Sequence, residues 1–243
     1  MTARVPVSRL GRRSLLGLLT LALSGALSAC AAERRGTDAN GCATSPTPCL
    51  AGGATVAMQT SKGEVRFRLD GAAAPLSAGN FVDLVRRGVY NGTAFHRVVR
   101  QPTPFVVQGG DPLSANPVTP LNQYGSGNYI DPARGEARLI PLEIRLRQES
   151  APRYGQELTE PGITRQLALV HQRGALAMAR ADDPNSASAQ FYVALQALPE
   201  LDGRYAVFGR VIAGMEVIDR IEQGDRIVRA TVVDGGKLVG GRP

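Results

Sequence analysis

Val56, Met58 and Thr60 alternate along the chain, Ser61-Lys62-Gly63 interrupts the run, and Val65, Phe67 and Leu69 alternate again. A period of two puts every second side chain on one face, so this pair reads as a β-hairpin with one buried side. The same signal returns late in the chain, where Phe191, Val193 and Leu195 alternate, residues 206–211 form a short apolar run and residues 228–233 supply a last strand. Asn91-Gly92 makes a turn before the strand-like residues 94–99. Helical periodicity occurs twice. The first such segment opens at Pro75 and Ser77, sets Phe81, Leu84 and Val85 on one face, and closes at Gly88; Ser77 is its expected N-cap and Gly88 its C′ residue. The second spans residues 214–224, with Met215, Ile218 and Ile221 in register. Strands and helices do not alternate and no glycine-rich phosphate loop occurs, which sets aside a nucleotide-binding sheet. The chain is mainly β, and its 28 glycines and 16 prolines suit many short strands joined by turns.

The N-terminus has a separate purpose. Arg4, Arg9, Arg12 and Arg13 precede an uncharged apolar run over residues 15–27, and no acidic residue appears before Glu33. A run of this length falls short of the roughly 20 residues a spanning helix needs, so it reads as a cleaved export signal covering residues 1–29. Leu27-Ser28-Ala29-Cys30 resembles the lipobox of bacterial lipoproteins, which implies lipidation of Cys30 and a lipid anchor on the periplasmic side of a bacterial membrane. Ala31 after the cysteine favours the outer membrane. Arg12-Arg13 resembles a twin-arginine signal, but Gly11 and Gly17 stand where that pattern prefers a hydroxyl and a basic residue, so both export routes stay open. Residues 30–53 are small, polar and rich in Gly and Pro, which reads as a flexible tether. Cys42 and Cys49 lie within it, either as a disulfide suited to an oxidising compartment or as two free thiols. The net charge of +7 arises largely from the leader: without its four arginines, 24 basic face 21 acidic residues. No basic stripe carrying aromatics remains to suggest nucleic-acid binding.

Reactive groups are scarce in the domain expected over residues 54–236. His96 and His171 are its two histidines, no Gly-x-Ser-x-Gly elbow is present, and no metal-ligand spacing occurs. His96 reads as a structural, hydrogen-bonded histidine, and His171 has no functional reading. Five blocks stand out: Phe95-His96-Arg97-Val98-Val99; Phe105-Val106-Val107-Gln108-Gly109-Gly110-Asp111; Gly174-Ala175-Leu176-Ala177-Met178-Ala179-Arg180; Ser188-Ala189-Gln190-Phe191-Tyr192-Val193; and Leu201-Asp202-Gly203-Arg204-Tyr205-Ala206-Val207-Phe208-Gly209. In this order they resemble the cyclophilin family of peptidyl-prolyl cis-trans isomerases. The resemblance implies a closed eight-stranded antiparallel barrel capped by two helices. It implies rotation of X-Pro bonds in exported polypeptides, with no metal or cofactor and a monomeric enzyme. Arg97 matches the catalytic arginine, and Gln108 would orient it and bind substrate backbone. Phe105, Val106, Tyr192 and Leu201 would form the proline pocket, with Tyr205 at the rim; Ala179, Arg180 and Gln190 would line the peptide groove.

Several positions depart from the family pattern. Arg100-Gln101-Pro102-Thr103-Pro104 lengthens the spacing between Arg97 and Phe105. Val106 replaces a commoner Met, Tyr192 a Phe and Arg180 an Asn, which predicts a shallower and slightly more polar pocket. Glu200 occupies the place of a tryptophan that contacts cyclosporin in many members, which predicts weak binding of that drug. An insertion over about residues 112–173 would extend the groove, meet a partner, or form a solvated excursion; it and Tyr205-Ala206-Val207-Phe208-Gly209 look like cyanobacterial members. A non-catalytic proline-peptide binding module or chaperone on the same scaffold is the alternative function. Residues 237–243 read as a tail.

Overall fold

The computed structural model describes residues 41–241. The leader, Cys30 and the first part of the expected tether lie outside the described residues. Strands β1 (Gly53–Thr60) and β2 (Gly63–Asp70) form the expected hairpin, paired from Gly53↔Asp70 to Thr60↔Gly63. In β2, Val65, Phe67 and Leu69 are buried while Glu64, Arg66 and Arg68 face solvent, as the period of two requires. Helix α1 (Pro75–Arg86) follows, then β3 (Arg97–Val98), β4 (Val106–Gly109), β5 (Ala175–Met178), β6 (Phe191–Ala194), β7 (Val207–Ala213), helix α2 (Met215–Arg220) and β8 (Ile227–Gly235).

These eight strands form one antiparallel sheet in the order β8-β1-β2-β7-β5-β6-β4-β3. Its two ends meet. The segment leading into β3 bridges the start of β8 at Ala94↔Arg226, with Phe95 N–H donating to Asp225 O at 2.8 Å and Ile227 N–H to Thr93 O at 2.8 Å. The curled sheet is thereby joined edge to edge, which satisfies backbone groups that an open edge would leave unpaired. Inside it, Phe191 packs edge-on against Phe67, Phe81, Tyr90 and Phe95. The Tyr90 hydroxyl reaches Ala189 O at 3.0 Å, so this deeply buried phenol keeps a partner.

Helix α1 begins three residues earlier than an N-cap at Ser77 implies. Pro75 takes the first helical position, where a fixed φ and a missing N–H carry no penalty, and Ser77 sits buried within the first turn instead of capping it. The cap comes from far away: the buried Glu143 carboxylate accepts from Leu76 N–H at 2.9 Å and Ser77 N–H at 2.7 Å. Gly88, with φ of 71°, closes the helix as expected and donates to Val85 O.

Residues 41–53 are not a loose tether in this structure. Gly41–Thr44 forms a helical turn, Cys42 and Cys49 are joined as a disulfide, and Cys49–Leu50 pairs with Leu238–Val239. The expected tail is thus the partner of the expected tether. Cys49 and Leu50 are fully buried because α1 admits them closely: a Cβ on Gly79 would lie 2.2 Å from Pro48 O. Small size at residue 79, and not turn-forming freedom, is what that glycine contributes. The disulfide closes a short loop, for which chain entropy gives about 2.5 kcal/mol. Denaturant titration should therefore show a loss of this order for Cys42→Ser/Cys49→Ser; equal midpoints for variant and wild type would contradict it.

The insertion is also ordered and does not form a solvated excursion. Leu142, Ile144, Leu146, Leu158 and Leu167 make a small core with Ala206, and Tyr129, Ile140 and Tyr154 join the main one. Buried Arg138 lies over Tyr129 and bridges Asp83 (2.6 Å) on α1 to Asp131 (3.2 Å).

Candidate active site

Strand register assembles the site. Arg97 pairs with Gln108 across β3 and β4, Gln108 with Tyr192 across β4 and β6, Tyr192 with Ala177 across β6 and β5, and Ala177 with Val207 across β5 and β7. Residues paired this way share a face, and Val106 and Ala194, two positions along, share it too. The alternate residues Val107, Phe191 and Val193 point into the main core. The row therefore lies on the outside of the barrel, where Val106, Tyr192, Val207, Ala177, Ala194 and Leu198 form a second apolar cluster flanked by half-buried Phe105, Leu201 and Tyr205. All five residues expected to form the proline pocket belong to this one cluster.

The long loop before Phe105 does not displace Arg97. Val99 N–H donates to Val106 O and Phe105 N–H to Val99 O, both at 2.9 Å, so the hairpin closes above the loop. Arg97 is exposed, with its guanidinium carbon 5.8 Å from the centroid of the Phe105 ring. Its Nη1 donates to Gln108 Oε1 at 3.3 Å, the one side-chain hydrogen bond it makes among the described residues. Gln108 Nε2 in turn donates to Gln190 Oε1 at 3.2 Å, and Gln190 Nε2 donates to Gly125 O and Gly127 O. Those carbonyls belong to the insertion and are held by the buried Asp111, whose carboxylate accepts from Gly125 and Gly127 N–H and from Leu113 N–H. Asp111 thus caps the turn at Leu113 and also holds residues 125–127 beneath Gln190. Just before it, Gly110 adopts φ of 83°, and a Cβ there would press on the Phe191 ring at 2.8 Å.

A groove of about 300 Å³ continues from this network, lined by Gln108, Ala179, Arg180 and Gln190 and by Asn128 and Leu139 of the insertion. The insertion thus extends the groove. Arg180 lines it without offering a free guanidinium. Its donors go to Arg204 O, Ala181 O, Asp182 O and the Glu157 carboxylate, and its plane covers Tyr205 at 4.8 Å, leaving the side chain 6% exposed. It braces the Tyr205 turn against the insertion.

Tyr192 does not make the pocket more polar as its hydroxyl suggested. The oxygen is 2.8 Å from Nε2 of buried His171, whose Nδ1 is 2.8 Å from Asp202 Oδ1. Burial pushes the Tyr192 phenol well up from its ordinary pKa, and burial lowers that of His171 despite the opposing pull of Asp202. The phenol therefore donates to a neutral imidazole, whose Nδ1–H donates to the carboxylate. Nothing in the spacing of these three residues foretells their meeting. His96 departs from expectation in the other direction: packed beneath Gly125, neither of its ring nitrogens has a hydrogen-bond partner among the described residues. No cluster of His, Cys, Asp or Glu among the described residues could hold a metal ion.

The family model described as cyclophilin type peptidyl-prolyl cis-trans isomerase matches residues 55–237. A putative thylakoid lumen peptidyl-prolyl cis-trans isomerase of Synechocystis sp. is 41% identical over 205 residues, covering 80% of this chain and 51% of that protein. A chloroplastic peptidyl-prolyl cis-trans isomerase of Arabidopsis thaliana is 37% identical over 180 residues, covering 70% of this chain and 38% of its own length. The chain thus spans about half, or less, of these two relatives. The crystal structure of a cyclophilin-type isomerase from Cryptosporidium parvum matches with a TM-score of 0.54 at 24% identity, covering 75% of this chain and 99% of that one, which shows a shared fold.

Proposed function

Because the chain belongs to the cyclophilin-type peptidyl-prolyl cis-trans isomerase family, we propose that it catalyses rotation about X-Pro bonds in exported, proline-containing polypeptides. The observation that carries this reading is the position of Arg97: exposed, beside Phe105 at the edge of an apolar cluster, and linked to Gln108. Isomerisation makes and breaks no covalent bond; its barrier of about 18–20 kcal/mol is amide resonance lost as the C–N bond twists. Twisting localises the nitrogen lone pair, so a guanidinium placed beside the prolyl nitrogen bonds the twisted amide more strongly than the planar one. The apolar cluster around Val106, Tyr192 and Leu201 holds the ring, and Gln108 keeps Arg97 in place while meeting substrate backbone. No further reactive group is needed, which accounts for a site without nucleophile or metal.

Export and anchoring extend the proposal. The cationic leader and the lipobox at Cys30 direct the chain across a bacterial membrane and tie it there by lipid, with the outer membrane favoured. The Cys42–Cys49 disulfide suits an oxidising compartment, and one relative is named for the thylakoid lumen. A proline-peptide assay on the chain lacking its leader tests the activity. Binding of the peptide without acceleration of its cis-to-trans conversion would replace the enzyme by a binding module.

The pocket also predicts a drug response. Glu200 is exposed at the position where many family members carry a tryptophan that contacts cyclosporin. Weak binding is the expected result of a titration, and tight, stoichiometric inhibition would overturn it.

A further inference from the structure

The proline pocket rests on a hydrogen-bond chain that the isomerisation chemistry does not call for. His171 is 2% exposed, and each of its polar groups is engaged: its backbone N–H and Nδ1 both meet Asp202 Oδ1 at 2.8 Å, its carbonyl accepts from Leu198 N–H at 2.8 Å, and Nε2 meets the Tyr192 hydroxyl. The His171 and Tyr192 rings lie within 12° of parallel, and Tyr192 meets Tyr205 edge-on at 5.9 Å. Asp202 directly follows Leu201, so one imidazole is tied to two walls of the pocket. It holds Tyr192 through the side chain and Leu201 through the next residue. An apolar ring in place of Tyr192 would fill the same wall with packing as its sole restraint, whereas a buried hydroxyl requires a partner to offset its lost hydration.

Resting on the isomerase reading above, we propose that His171 and Asp202 are positioning residues of the proline pocket. Asp202 orients the imidazole, the imidazole accepts the Tyr192 hydroxyl, and the Tyr192 ring and Leu201 are held at a set spacing around the prolyl ring. Neither His171 nor Asp202 touches substrate. Their contribution is to bind the proline ring in a preformed pocket, so their loss weakens binding of planar and twisted amide alike.

A double-mutant cycle tests this in the leaderless protein, read both by Kd for an Ala-Pro-containing peptide and by KM and kcat for its isomerisation. Tyr192→Phe and His171→Gln should each raise Kd and KM by roughly 3- to 10-fold and leave kcat within about twofold. Their combination should be no worse than the poorer single variant, because His171 acts through a hydroxyl that Tyr192→Phe has already removed. Singles without effect on Kd overturn the proposal. So does a double variant whose losses multiply, since His171 would then act independently of Tyr192. If His171→Gln fails to fold, as judged by its thermal transition, Asp202→Asn with Tyr192→Phe makes the same cycle from the other end. A wild type that binds the peptide but does not accelerate its isomerisation would end the isomerase reading, while the Kd cycle would still decide the role of His171.

Discussion

Arg97→Ala is expected to lower kcat/KM for cis-to-trans conversion of a proline peptide by at least roughly 100-fold, with the thermal midpoint essentially unchanged. Removing one preorganised donor from developing charge costs about 2.7–4 kcal/mol in comparable sites, which corresponds to 10²–10³ in rate. The fold should be indifferent, because Arg97 is exposed and its side chain makes one hydrogen bond, at 3.3 Å to Gln108. Arg97→Lys should recover little, since a single ammonium cannot engage Gln108 and the prolyl nitrogen from one planar fork. Most of the loss should fall in kcat, in contrast to the KM effect expected at Tyr192. Retention of activity within about threefold would remove Arg97 from the mechanism.

Glu143→Ala should produce the largest loss of stability among the polar substitutions considered. Its carboxylate accepts from Leu76 and Ser77 N–H at the start of α1 and from the Tyr154 hydroxyl at 2.9 Å, all in a buried setting. Truncation strands three donors at once and leaves a void, for a cost of about 3 kcal/mol or more and a fall in Tm of roughly 10 °C. A change under about 2 °C would contradict the capping role. The group also leaves a pH signature. Burial raises the Glu143 pKa above the ordinary carboxylate value, with the helix N–H groups opposing the shift. Between its unfolded and folded pKa the native state holds more of this proton than the unfolded chain, so its contribution to stability declines as pH rises through that window. The wild-type profile minus that of Glu143→Gln should show that decline, and a difference that instead rises with pH would reverse the assignment.

Legibility from sequence followed the range over which each feature is determined. The β1–β2 hairpin could be read because alternation of Val65, Phe67 and Leu69 is local, and the grouping of Phe105, Val106, Tyr192, Leu201 and Tyr205 because separated blocks kept their family order. Four features escaped. The cap of α1 was assigned to Ser77 because its true acceptor lies 66 residues downstream. Arg180 lines the groove, but the engagement of its guanidinium escaped, because its partners Glu157 and Arg204 come from the insertion and a distant turn, and only folding brings them near. Residues 41–53 have a linker's composition, and their burial follows from a disulfide, a pairing with residues 238–239 and the bare surface at Gly79. His171 escaped for a similar reason: Tyr192 and Asp202 flank one imidazole only after β6 has found its register.

The clasp between Cys49–Leu50 and Leu238–Val239 bears on mechanics. Gly240 lies against Cys42 and Gly241 against Pro48, so the polypeptide enters and leaves the described domain at one spot. Tension applied at residue 41 or at residue 241 is delivered to that junction, where the Cys42–Cys49 bond closes the entering segment alone into a covalent loop, and has no route through the strands that bear Arg97 and Gln108. A domain loaded at that junction would swing about it while the strands that carry Arg97 and Gln108 keep their shape.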